Sequence, residues 1–89
     1  MTPMHAKRWT VTIHIDEVDD DRTRAHAVLE TGGSMRLTGE GFARRNPTDR
    51  PVPEIGDELA AGRALSDLAH NLLDVAAEDV AAFAAGQTR

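Results

Sequence analysis

Three groups of side chains in this sequence could do chemistry, and strand spacing decides what each can do. His14, His26 and Glu40 form the first group, since imidazole and carboxylate together are donors for a divalent transition metal. They fall into one cross-strand row if segments 9–15, 22–31 and 35–44 are strands in the register derived below. Side chains on adjacent strands stand about 5 Å apart, so the outer two lie about twice that far apart and converge poorly on one ion. The row reads as a solvated polar strip, and no metal is assigned. The second group, Asp16, Asp19, Asp20 and Asp21, invites a calcium reading. It lacks the spaced ligands, central glycine and closing glutamate of a calcium loop, so it reads as a solvated turn. The third group is Arg22, Arg24, Arg36, Arg44, Arg45 and Arg50, a set that could track phosphates. Pairing with Asp16 and Glu30 accounts for some of these. Arg44, Arg45 and Arg50, around a connector, are the candidate phosphate contacts.

Other chemistry is harder to find. Ser34 and Ser66 have no evident base, and Gly39-Glu40-Gly41 is a lone Gly-x-Gly inside a strand with no helix after it, so it is not a phosphate loop. With no cysteine there is no thiol nucleophile, thiolate metal site or disulfide framework. No catalytic or cofactor-binding residue is assigned, and the chain is expected not to be an enzyme.

The elements that position these groups follow from periodicity. Trp9, Val11, Ile13 and Ile15 alternate with Thr10, Thr12 and His14, the pattern of a half-buried strand. The acidic turn leads to a second strand at 22–31, and Gly32-Gly33-Ser34 separates it from a third at 35–44. A two-residue turn would set Leu29 opposite Arg36 and bring an arginine onto the apolar face. A three-residue loop pairs Leu29 with Leu37 instead, with glycine supplying the left-handed residue. Pairing Ile13 with Ala27 registers the first hairpin.

The inner face then reads Trp9-Thr31-Met35, Val11-Leu29-Leu37, Ile13-Ala27-Gly39 and Ile15-Ala25-Gly41. The outer face reads Thr10-Glu30-Arg36, Thr12-Val28-Thr38, His14-His26-Glu40 and Asp16-Arg24-Phe42. Ala25, Ala27, Gly39 and Gly41 make a trough over which a helix can lie closely. After a stiff Asn-Pro-Thr-Asp-Arg-Pro-Val-Pro connector, Pro53 suits a first helical position. Ile55, Leu59, Gly62, Leu65, Leu68, Ala69 and Leu72 recur at helical spacing as the stripe expected to meet the sheet, with Gly62 at the closest contact. Arg63 and Asp67 are expected to pair with each other on the solvent side. A break or bend near Asp74, giving a short second helix to Gly86, is anticipated. The fold class is thus α+β, a three-stranded antiparallel meander with a C-terminal helix on one face. The domain spans 9–85, between an N-terminal tail at 1–8 and a C-terminal tail at 86–89.

Composition bounds the rest. Eighty-nine residues with three aromatics must build an aliphatic, alanine-rich core, which buries little area and makes self-association attractive. No run approaches the ~18 apolar residues of a membrane span, and the first residues lack a signal peptide's apolar segment, so a cytoplasmic location is expected. Residues 1–50 hold eight basic and eight acidic residues, whereas residues 51–89 hold two and seven. Any nucleic-acid contact is thereby confined to the first half. Trp9, Val28 and Phe42 are the candidate contacts of a homodimer built through the sheet, whose edges are open.

Several stretches resemble a family of small actinobacterial proteins that includes mycobacterial proteins of hypoxic dormancy. They are Trp9-Thr-Val-x-Ile-x-Ile-Asp-Glu, Thr23-Arg-Ala, Gly39-x-Gly-x-Ala-Arg, Asn46-Pro-x-Asp, Val52-Pro-Glu-Ile-Gly-Asp-Glu-Leu and Arg63-Ala-Leu-Ser-Asp-Leu. The resemblance covers about residues 9–80. It implies a fold like double-stranded-RNA-binding domains and a likeness to ribosome hibernation-promoting factors, but no catalytic or binding residue. The chain departs from RNA-binding members of that fold class, whose last helix starts with lysines. Here the stretch is Glu54-Ile-Gly-Asp-Glu, which repels phosphate. Two readings result: a non-enzymatic stress or dormancy protein that docks on the ribosome, or a homodimeric protein–protein interaction module without nucleic-acid contact.

Overall fold

The computed structural model describes residues 5–86. Three strands, β1 (Thr10–Glu17), β2 (Arg22–Glu30) and β3 (Arg36–Arg44), precede one helix, α1 (Pro53–Gly86). The sheet is an antiparallel meander in the order β1-β2-β3. The fold is therefore α+β. The parts of the expected tails at 1–4 and 87–89 lie outside the described residues.

The register matches the parity argument in every row from Thr10-Glu30-Arg36 to Asp16-Arg24-Phe42, while the expected row Trp9-Thr31-Met35 lies just beyond the paired residues. Val11 faces Leu29 and Leu29 faces Leu37, while Ile13-Ala27-Gly39 and His14-His26-Glu40 form the expected rows. Gly32 adopts φ of 85°, the left-handed conformation that the loop requires. In the first hairpin, Asp19 Oδ1 accepts from the backbone N–H groups of Asp21 and Arg22, which folds the acidic run into a tight turn.

The helix seats on the expected trough but with a different face. Ala60 and Ala64 are fully buried and Leu68 nearly so, and they pack on Ala25, Ala27, Leu29 and Ala43. A Cβ on Gly39 would lie 2.3 Å from the Leu68 nitrogen, and one on Gly41 2.3 Å from the Ala64 nitrogen. The helix backbone itself thus rests on the two glycines. A floor this flat accepts alanine, whereas Ile55 and Leu59 would hold the helix away. Those two side chains, with Gly62 and Ala69, point outward, and a Cβ on Gly62 would meet nothing within 4 Å. Of the anticipated stripe, Leu68 and Leu72 reach the core.

The expected break near Asp74 is absent: α1 continues unbroken for 34 residues. Alanine at 76, 77, 81, 82, 84 and 85 favours helix strongly, and neither glycine nor proline interrupts the stretch before Gly86. Leu68 lies against Gly39, Leu72 joins the edge of the core and Val75 is still half-buried, so the exposed residues 76–86 run on past the sheet. At 1.5 Å per residue that extension is about 17 Å. The molecule is correspondingly elongated, with a long axis of 61 Å.

Candidate functional site

The two open edges of the sheet are treated differently by the helix. Because the glycines lie on β3, α1 settles over β3 and β2 and barely touches β1. On the β3 side, three helix side chains spaced by four residues bond the strand's outward backbone groups. Arg63 Nη1 donates to the Phe42 carbonyl (2.7 Å), Asp67 Oδ2 accepts from the Glu40 N–H (2.9 Å), and Asn71 Nδ2 donates to the Thr38 carbonyl (2.9 Å). The anticipated Arg63–Asp67 pair does not form, since each side chain turns to the strand instead. A wheel diagram shows that these residues share a side. It does not show that the side overhangs a strand edge.

These bonds fix which groups on β1 are free. Thr38, Glu40 and Phe42 direct their backbone groups away from β2, so in an antiparallel ladder Val28, His26 and Arg24 direct theirs toward β1. Their partners Thr12, His14 and Asp16 are bonded to β2, and Val11, Ile13 and Ile15 present N–H and C=O to the outside. Among the described residues no hydrogen bond reaches those outward groups. The same strand leaves its inner-face side chains uncovered: Val11 is 41% and Ile15 42% exposed, with Trp9 just before them at 49%. Leu65, on the helix flank, is also exposed. The result is a bare strand edge bordered by apolar side chains.

The arginines divide. Arg45 belongs to the framework of the connector. Its Nη2 meets Asp21 Oδ1 at 2.6 Å, its Nη1 donates to the carbonyls of Asn46, Pro47 and Asp49, and its backbone N–H donates to Asp21. Arg22 pairs with Asp19 and Arg24 with Asp16. Side-chain hydrogen bonding to Arg22 holds the Asp19 carboxyl below its ordinary range, and the same contact raises Arg22. Arg36, Arg44 and Arg50 are exposed and carry no ion pair among the described residues. Arg36 and Arg44 stand at opposite ends of β3, about 26 Å apart at strand rise. Arg44, Arg45 and Arg50 do line one depression of about 690 Å³, together with Glu17, Asp19, Asp20, Asp21 and Asp49. Carboxylates outnumber guanidiniums there, which disfavours a phosphate.

The remaining candidates do not gather into one patch. Val28 is central on the outer face and only 4% exposed, so it offers little contact area. Phe42, 58% exposed, lies on β3 toward the first hairpin, and Trp9 lies at the opposite end of the sheet. His26 Nδ1 stands 3.1 Å from Glu40 Oε1 on the solvent-facing side, with His14 next in the row. Among the described residues no three His, Asp or Glu side chains are grouped as a metal ion would need. No helix among them is long and apolar enough to cross a membrane. The feature missed from sequence was the guarded edge. Its signal is the i, i+4, i+8 set Arg63, Asp67 and Asn71, which is readable only once the helix rotation is known.

Comparison with known proteins agrees with this architecture. The crystal structure of Rv2632c superposes with a TM-score of 0.81 at 42% identity, covering 91% of this chain and 94% of that one. An uncharacterised protein of Mycobacterium bovis, Mb1767, is 51% identical over 76 residues, covering 85% of this chain and 79% of its own length. The uncharacterised Mycobacterium tuberculosis protein Rv2632c is 50% identical over 76 residues, with coverage of 85% and 80%. The family described as Rv2632c-like matches residues 7–89, and the chain belongs to it.

Proposed function

We propose that this chain is a non-enzymatic, cytoplasmic protein-interaction module that receives an extended segment of another protein along the outer edge of β1. The observation that supports this reading is the unequal treatment of the two edges. Three helix side chains occupy β3, while the outward groups of Val11, Ile13 and Ile15 are bare beside exposed Trp9, Val11 and Ile15. Free backbone donors and acceptors in a row are satisfied by another strand, and alternate side-chain contacts supply selectivity. The segment suited to this edge carries apolar residues at every second position, to lie beside Val11 and Ile15.

Ile15→Pro tests the reading cleanly. The Ile15 N–H points away from β2, and an edge strand tolerates proline where its N–H faces outward. Full-length protein is used as bait in extracts of oxygen-starved cells, and captured chains are identified by mass spectrometry together with any RNA. Loss of one bound protein with Ile15→Pro and its retention with Phe42→Ala is the expected result. Capture that ignores Ile15→Pro sinks the proposal.

A second reading, docking on the ribosome in stress or dormancy, rests on the unpaired, exposed Arg36, Arg44 and Arg50. It predicts co-sedimentation with ribosomes at low salt that weakens steeply as salt rises. Charge reversal at those three positions should abolish it, and Ile15→Pro should not.

A further inference from the structure

The outward face of α1 carries a repeat that the sheet does not cover. Ile55, Leu59, Gly62, Ser66, Ala69, Leu73, Ala76, Val80 and Phe83 follow one another at alternating spacings of four and three, and every one is exposed. That is the 3.5-residue period of a coiled-coil seam, sustained for about four heptads. Its large members are far from buried: Leu73 is 69%, Val80 68% and Phe83 66% exposed. Val75 is the last half-buried side chain of α1, and an isolated helix of the 11 exposed residues beyond it is marginal in water. Residues 76–86 therefore call for a partner that runs alongside them.

From this seam we infer that two copies of the chain pair through α1, with the helices parallel and in register. The repeat fits a copy of itself because it spans both the seated and the overhanging halves of α1, so its partner must be a helix of similar length with the same period. Gly62, Ser66 and Ala69 stack on their counterparts and let the two backbones approach, between layers of Leu59 and Leu73. The flanks choose the direction. In a parallel pair Glu58 lies beside Arg63 of the second copy, whose guanidinium keeps donors to spare while Nη1 bonds the Phe42 carbonyl, an attractive contact. Reversing one helix puts the two acidic flanks, each with Glu58 and Asp79, side by side. The sheets lie on the far side of each helix, so β1 stays open in the dimer. This surface is separate from the strand edge of the proposed function.

Sedimentation velocity on the full chain tests the pairing, with a dimer expected at micromolar concentration. Leu73→Glu with Val80→Glu should weaken association on the order of a hundredfold or more. The strand residues should keep their NMR shifts, which separates loss of pairing from loss of fold. The chain has no cysteine, so Ala76→Cys gives a single thiol on the seam. Oxidation should link the parallel pair through it, whereas an antiparallel pair holds the two thiols about 25 Å apart. Ile15→Pro should leave the dimer intact. A wild-type monomer at high concentration, a double-glutamate variant that still dimerises, or an Ala76→Cys dimer that resists cross-linking would each overturn the inference.

Discussion

The two edges of this small sheet are made of similar strands, yet one is closed and the other open. β3 carries glycines at 39 and 41, and β1 carries isoleucines at 13 and 15. Glycine lets the helix backbone descend, so α1 lies over β3 and its Arg63, Asp67 and Asn71 reach past the strand to its outward groups. β1 is left at the margin of the helix with its large side chains half in water. The placement of two missing side chains thereby decides which edge is protected against pairing and which is available for it.

The largest effect should come from refilling that trough. Gly39→Ala puts a methyl group where the Leu68 nitrogen and Ala64 oxygen already lie within 2.4 Å. Both are backbone atoms that cannot swing aside, so the cost is about 3 kcal/mol or more. Lifting the helix would also unguard β3. The same substitution at Gly62, where nothing lies within 4 Å, should stabilise by about 1 kcal/mol through helix propensity. Thermal melts of both variants, made in the Leu73→Glu/Val80→Glu background to read the single chain, should move in opposite directions. Equal destabilisation would mean that the helix sits on its outward stripe after all.

Next in size is the contrast between covered and uncovered strands. Leu29, 3% exposed on β2, should cost about 3 kcal/mol on truncation to alanine. Ile15 is the larger-looking residue in the sequence pattern, but at 42% exposure its truncation should cost only about 1 kcal/mol. Urea titrations of the two variants check the ratio. Similar costs would indicate that something covers β1.

How far the sequence could carry this comparison is visible in particular residues. The register was fully legible, because one-residue slips turn Leu29, Leu37 and Ala27 to the wrong side, and both hairpins keep that parity. The trough was legible for the same reason. The face of the helix was not. Large apolar residues at helical spacing look like a core stripe, and only the flatness of the glycine floor explains why Ala60 and Ala64 take the contact while Ile55 and Leu59 face away. Once the helix is rotated accordingly, Arg63 and Asp67 cease to be each other's partners. Arg45 is a similar case: its type suggests phosphate, and the structure shows the carbonyls of the connector converging on it. The continuity of α1 through Asp74 follows from alanine propensity, which outweighed the apparent end of the stripe.

Asp67→Ala sharpens the edge comparison directly. It removes the acceptor of the Glu40 N–H, a loss of about 1 kcal/mol because water can replace it at this exposed site. Hydrogen exchange reports the change best. In the wild type the Glu40 amide should exchange slowly and the outward amides of Val11, Ile13 and Ile15 quickly. In the variant Glu40 should join the fast group.

The smallest effect concerns the turn that returns β1 to β2. Asp19 bonds the Arg22 guanidinium at 2.7–2.8 Å and accepts two backbone N–H groups, so its carboxyl ionises below the ordinary 3.8. A depressed carboxyl contributes stability that is complete above its unfolded value and is lost as pH falls through the lower folded value. The turn should therefore hold unchanged down to about pH 4 and loosen only below it. Because both side chains are well exposed, solvent screens the pair and the change should be slight. Asp19→Asn keeps an acceptor for the backbone bonds but removes the charge, so its stability should lose this acid-dependent component. An acid titration with the same slope below pH 4 in both proteins would show that the Arg22 contact contributes nothing. The closed hairpin would then rest on the backbone bonds of the turn alone.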